Sequence, residues 1–182
     1  ILDRLGMTAS VPGTGLGDGS SPNRSQFSAS VLDRYAAVLR RQAVPYSVDS
    51  QGRPTRSDAQ GGALSASTGV VSTVRDLARF DAALRDGVLL QPDTLSRAWE
   101  PERSMPTGLG WFVQRRNGER IVWHFGVARG AYSSLVIKVP DRGLTLILLA
   151  NSDGLVGPPY DLSNGSVTSN VFASLFLRLF VG

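Results

Sequence analysis

Residues 108–151 read GLGWFVQRRNGERIVWHFGVARGAYSSLVIKVPDRGLTLILLAN, and apolar residues recur along them at the period of strands rather than of helices. Four strands are expected, over 110–115, 120–124, 131–139 and 144–150. The breaks between them are Asn117-Gly118, the segment 126–130, and Pro140-Asp141-Arg142-Gly143. These residue types supply a positive φ or a preset φ, so they turn the chain by a definable route. Links this short make consecutive strands antiparallel neighbours. The last strand, LTLILLA, is almost wholly apolar and is expected at the centre of the sheet, buried on both faces. Trp111 and Trp123 fall on adjacent strands and are expected to form a cross-strand pair.

Upstream the period changes to that of helices. Residues 1–7 read as the end of a helix, with Gly6 as its left-handed terminal residue. The Gly-, Pro- and Ser-rich run 11–23 reads as loop, and loop is expected over 8–29 as a whole. Val31, Leu32, Tyr35, Ala36, Val38 and Leu39 have helical spacing, and Ser30 with Asp33 forms a capping box at the start. Segments 44–49 and 53–55 flank Gln51-Gly52 as a short ribbon, and 56–69 reads as loop, small and Gly-rich from residue 60. A second capping box, Thr73 with Asp76, opens a helix whose face is Val74, Leu77, Phe80 and Leu84, stopped by Gly87. A short helix follows over 92–99. A closing helix over 168–181 carries Val171, Phe172, Leu175, Phe176, Leu179 and Phe180 as a stripe that must lie on something apolar. Its aromatic residues are core at helical spacing, not a cofactor box. Helices, an antiparallel meander over 108–151 and a helix packed back on it make a layered α+β domain. No internal repeat or second domain boundary interrupts residues 1–182.

Composition removes several classes of function. With 182 residues, 42% of them hydrophobic, the chain is one domain's worth of core. The absence of cysteine excludes thiol catalysis, disulfides and cysteine-based zinc sites. One histidine excludes a multi-histidine metal site, and Asp and Glu are not clustered, so neither metal nor cofactor is expected. Net charge is +4, but the 19 basic residues are all arginine except Lys138 and are scattered among acids. No basic run marks a nucleic-acid groove. No apolar stretch approaches the roughly 20 residues of a membrane span, and the start at Ile1, without an initiator Met, suggests a cut chain. Gly13 to Gly17 is glycine-rich but lies between no strand and helix, so it is a weak phosphate loop. There is no Gly-x-Ser-x-Gly elbow. No Ser-x-x-Lys exists either, because Lys138 is the sole lysine and position 135 is Leu.

His124 is the residue to weigh. A lone histidine is ordinarily structural or simply exposed. This one ends an expected strand and precedes a Gly-rich segment whose backbone can approach a ligand closely and offer N–H donors to an oxyanion. On spacing alone the two readings stand side by side.

Five ordered motifs carry a resemblance. Leu2-Asp3-Arg4-Leu5-Gly6-Met7-Thr8 resembles a "PLGM-x-x-T" helix end, with Arg4 where proline is usual. Gly69 to Phe80 (GVVSTVRDLARF) resembles "G-x-x-ST-x-x-DLA-x-F", and Gly108-Leu109-Gly110-Trp111 resembles "GLGW". His124-Phe125-Gly126 with the trailing Gly130-Ala131-Tyr132-Ser133 resembles the third active-site box, Lys-Thr-Gly or His-x-Gly. Pro140 to Leu144, running to Leu149-Ala150-Asn151, resembles "P-x-x-x-L…LAN". These are the marks of serine hydrolases of the class C β-lactamase, D,D-peptidase and penicillin-binding-protein type. The resemblance implies a β-lactamase/transpeptidase-like α+β fold, of which this chain is the C-terminal portion. It also implies that Ser-x-x-Lys and Tyr-x-Asn boxes precede Ile1, so that this chain is inactive alone.

By the same resemblance His124 matches the basic position of the third box, which helps protonation and binds the substrate carboxylate region. Gly126 matches the glycine that lets substrate lie along the strand. The N–H of Val127 matches an oxyanion donor, and Asn151 an asparagine near the substrate carboxylate. Phe125 stands where Thr or Ser is usual in the substrate-binding strand. It removes a hydroxyl, pointing away from β-lactamase activity toward an esterase, a peptidase or a non-hydrolytic relative. Implied partners are a small-molecule or peptide substrate bearing a carboxylate and the N-terminal part of the same protein. A homodimer through an exposed sheet edge is a third, and no nucleic acid is implied. The family suggests a secreted, periplasmic or membrane-anchored parent. The rival function is a non-catalytic binding module on the same scaffold. Tyr46 and Tyr132 are read as packing residues.

Overall fold

The structure is a computed structural model that describes residues 1–19, 21–59, 65, 67–101, 106–157 and 160–182; residues 60–64 and 66 of the loop expected over 56–69 lie outside them. Its centre is the meander. Strands β3 (Phe112–Arg116), β4 (Glu119–Ala128), β5 (Tyr132–Val139) and β6 (Leu144–Ala150) form an antiparallel sheet in that order. The β3–β4 turn has both central residues left-handed, Asn117 at φ 49° and Gly118 at φ 84°, which matches the twist of the strands it joins. β4 runs on to Ala128, where a break was expected at 126–130, because Val127 and Ala128 still pair with Ser133 and Tyr132. Only Arg129, Gly130 and Ala131 form the turn.

Alternation along the strands separates two cores. Ile121 and Trp123 of β4 and Leu135, Ile137 and Val139 of β5 are almost fully buried on one face. The closing helix α5 (Val171–Phe180) supplies Ala173 and Leu177 to the same cluster. On the other face Val122 is buried against Leu84 of α3 (Val74–Arg85) and Leu95 and Ala98 of α4 (Pro92–Ala98), together with Trp99.

Three expectations fail here, each for a physical reason. β6 is not central: among the described residues it is the far edge of the sheet, with every residue half-buried or exposed despite its apolar sequence. Trp111 does not face Trp123; Trp123 stacks on Phe112, its register partner, with ring centroids 4.4 Å apart. One residue's offset moves Trp111 to the opposite face, where it meets His124 edge-on at 6.5 Å. In α5, Ala173, Phe176 and Leu177 turn inward, while Phe172, Leu175, Leu179 and Phe180 are 49, 43, 65 and 51% exposed. Apart from Ser174 and Arg178 the helix is apolar, an arc too wide to reveal by pattern which stripe is buried, and the small Ala173 permits the closer approach. Asn170 fixes the entry by capping the N–H groups of Phe172 and Ala173 while donating to the carbonyl of buried Leu155.

The upstream elements clasp this sheet. Residues 1–7, expected as a helix end, form a hydrogen-bonded turn and not a helix; with Gly6 at φ 64°, Met7 N–H reaches Leu2 O and Gly6 N–H reaches Asp3 O, the bond pattern of a left-handed terminus. The segment read as loop over 8–29 holds a 3-10 turn (Arg24–Gln26) and a short helix, α1 (Gly15–Asp18), whose Leu16 packs with Tyr35 and Val38 of α2 (Ala29–Leu39). α2 starts after Ser28, and the expected Ser30–Asp33 capping box does not form. Strands β1 (Tyr46–Val48) and β2 (Pro54–Arg56) make the expected ribbon. In α3 the Thr73 hydroxyl accepts from Asp76 N–H, but the Asp76 carboxylate does not return to the cap. It is 1% exposed and accepts from Ala9 N–H, Ser10 Oγ and Arg79, so it stitches the first turn of α3 to the segment after Met7. Val74 stays exposed, and Leu84 is the buried anchor of that face.

A second buried charge crosses the layers. Lys138 of β5 is 4% exposed and donates to Asp81 of α3. Burial lowers its ammonium from the ordinary 10.5 to about 8. Removing one partner of a buried pair costs about 3 kcal/mol, whereas replacing both by apolar or neutral groups is nearly neutral. Asp81→Asn is therefore expected to lower stability by about that amount at pH 7 in denaturant unfolding, and adding Lys138→Met to recover most of it. Without Asp81 the folded lysine loses its proton more readily than in the parent, where its pKa is about 8, so the variant's deficit relative to the parent should shrink as pH rises toward 8. A pH-independent deficit would contradict this. The outward stripe of α5 should bind a hydrophobic dye. The double variant Phe172→Asp, Leu179→Glu should lose most of that fluorescence with its circular dichroism unchanged.

Candidate active site

β4 is longer than its neighbour on one side. β3 pairs with Glu119 to Trp123 only, while β5 pairs with β4 from Val122 through Ala128. From His124 onward the outer edge of β4 has no strand beside it among the described residues, and its outward-facing backbone groups are free to pair with an extended ligand. His124 is exposed and lies on the face opposite Trp123, because successive side chains on a strand alternate. Its imidazole sits among Trp111, Phe112 and Phe125, at centroid distances of 6.5, 6.0 and 6.2 Å. Of these rings Trp111 shares its face of the sheet, and it meets the imidazole edge-on.

Gly126 follows on the same face. A Cβ built there would lie 2.8 Å from the Ser134 hydroxyl, so the absent side chain keeps this stretch of β4 low. Val127 is 44% exposed at the free edge. Phe125 points to the other face, where its ring stacks with Phe112 at 5.9 Å and Trp123 at 6.1 Å against the α5 core. The Phe125 side chain thus serves packing under the strand.

Asn151 stands apart from this group. It follows Ala150, which pairs with Ser133, itself the partner of Val127. Two strand spacings of ~4.8 Å therefore separate it laterally from β4. Its side-chain amide donates to Val44 O at 2.9 Å, and its carbonyl accepts from Tyr46 N–H at 2.8 Å. The structure brings His124, Gly126 and Val127 together on one strand end and gives Asn151 to the ribbon. Tyr132, half-buried, donates its phenol to Ala43 O, which also ties the ribbon down. Among the described residues no three His, Asp or Glu side chains gather as a metal site.

A supporting residue escaped the sequence. Asp153, in the turn after Asn151, accepts from Gly130 N–H at 2.7 Å with one oxygen and from Val48 N–H at 2.9 Å with the other. It locks the turn that ends β4 to the ribbon, and with it the position of Val127 and Ala128. Only its nearness to the "LAN" motif could have pointed to it.

Known proteins share the family and the fold. The family model named Beta-lactamase matches residues 24–163. A penicillin binding protein from Bacillus halodurans superposes with a TM-score of 0.59 at 15% identity, over 99% of this chain and 47% of that one. D-amino acid amidase from Ochrobactrum anthropi SV3, crystallised with D-phenylalanine, superposes with a TM-score of 0.54 at 21% identity, over 84% of this chain and 43% of that one. The chain thus spans a little under half the length of these solved relatives. No curated protein sequence matches it. The matched stretch runs from the ribbon's approach through the whole meander, including His124 to Val127, and so the chain belongs to the β-lactamase family.

Proposed function

We propose that this chain supplies one wall of an acyl-transfer site for an amide, β-lactam or ester, and that the attacking serine comes from a segment preceding Ile1. The observation that carries the proposal is the free edge of β4 from His124 to Ala128, with the imidazole exposed at its start and no side chain at Gly126. An extended substrate laid along that edge pairs with backbone groups. The absent Cβ of Gly126 lets it lie close, and the N–H of Val127 is offered to the oxyanion that forms as the carbonyl is attacked. His124 sits where it holds a substrate carboxylate or passes a proton to the leaving group. Phe125, committed to the core, leaves the strand without a hydroxyl, which favours a peptidase, amidase or esterase over a β-lactamase. The D-amino acid amidase neighbour, an amide-cleaving enzyme by name, fits that preference.

The sequence contains no Ser-x-x-Lys, so the chain alone is expected to show no labelling by a fluorophosphonate or a fluorescent penicillin. A chain extended at its amino end to include that box should be labelled. In it Val127→Pro, which removes the N–H, should slow acylation by about 100-fold or more, while Val127→Ala, which keeps it, should acylate at nearly the parent rate. Equal rates for the two would contradict the assignment, and labelling of neither protein despite intact folding would favour a non-catalytic binding module.

A further inference from the structure

The face of the sheet that bears Val122 and Lys138 holds a second cleft, under α3 and α4, of about 210 Å³. Asp81, Arg85, Trp99, Arg120, Lys138 and Thr145 line it, and His124 does not. Arg120 and His124 lie on the same face of β4 but four residues apart, about 13 Å along the strand. The cleft is thus distinct from the strand end described above. Its volume is far above the ~15 Å³ that one water needs, so it admits a polyatomic ligand.

Three cations face one carboxylate. Asp81 is matched by Lys138, and Arg85 turns its Nε to exposed Asp86 at 3.0 Å. Arg120 approaches Asp141 only to 3.9 Å, beyond hydrogen-bond reach. The guanidinium of Arg120 and the ammonium of Lys138 each lie 5.9 Å from the Trp99 ring centre. Two donors at this spot are buried and find no acceptor among the described residues: the indole N–H of Trp99, a residue only 6% exposed, and Nε of Arg120. Buried polar groups are ordinarily paired. Water would satisfy a donor, but it would not oppose the charge of Arg120, which no carboxylate meets within hydrogen-bond reach among the described residues. An oxyanion does both, since each of its oxygens accepts and its charge opposes that of Arg120.

The geometry points to a binding site for a small oxyanion, a phosphate or a carboxylate, held by the Arg120 guanidinium and the Trp99 indole N–H at the side of the Lys138–Asp81 pair. Planar guanidinium suits either group, because its N–H fork matches two oxygens at once. The site asks nothing of the strand end at His124 and stands whether or not the acyl-transfer proposal does.

The test follows the indole N–H signals of the three tryptophans in proton–nitrogen correlation spectra of the whole chain. Inorganic phosphate, and separately acetate, is titrated at ionic strength held constant with sodium chloride. Trp99→Phe identifies the Trp99 signal while keeping an aromatic ring. The Trp99 signal should move saturably with at least one of the two anions, and which one moves it at lower concentration names the preferred source. Arg120→Gln should weaken that response at least tenfold, and Arg85→Gln, at a largely exposed side chain, should weaken it less. A Trp99 signal that stays still with both anions overturns the proposal. So does one that moves equally with chloride, or one that responds undiminished in the Arg120→Gln protein.

Discussion

The structure depends on the burial of one face of β4. Ile121 and Trp123 are in the core with 1 and 0% exposure, and Trp123 is stacked on Phe112. A strand has a side-chain period of two, so a slip of one residue would turn this whole set out to water. Burying a tryptophan removes some of the largest apolar area any residue has, and the register is correspondingly firm. With Trp123 inward, His124 is outward; with Phe125 inward, Gly126 is outward. The candidate site is a consequence of the core beneath it.

The other layers hold that strand in place. Gly130 N–H on Asp153 fixes the turn where β4 ends, and the same carboxylate holds the ribbon through Val48. On the far face Lys138, paired across from Val122 in the ladder, reaches Asp81 of α3, and Asp76 of α3 reaches the segment after Met7. Three buried or half-buried carboxylates thus tie helix, sheet and ribbon together, each meeting its partners at distances that leave little freedom. By contrast β6 has no further strand beside it among the described residues, and the outward stripe of α5 is largely exposed.

How much of this was legible in the sequence differs by element. The meander was, because Asn117-Gly118 and Pro140 to Gly143 punctuate it and its alternation is clean. The place of β6 was not: LTLILLA says that the strand wants burial on both faces, not whether a neighbour within 182 residues provides it. The inward face of α5 was hidden because all of the helix but Ser174 and Arg178 is apolar, and the partner of Trp123 because Trp111 and Phe112 differ by one position and opposite faces. His124 and Gly126 were legible from their motif and from the glycine's permissiveness. Asn151 was legible as a motif residue, yet its amide is spent on Val44, a contact 107 residues away. Asp153 and Asp81 act only through such distant contacts, which no local pattern encodes.

The central claim is that the end of β4 receives the oxyanion of an acyl-transfer reaction. Its most direct test is a crystal structure of the amino-terminally extended protein with a boronic acid inhibitor on the serine. The boronate oxygen should lie about 3 Å from Val127 N, with the inhibitor's chain running along 124–127 beside the imidazole of His124. A boronate held elsewhere, with the β4 edge bare, would contradict the account.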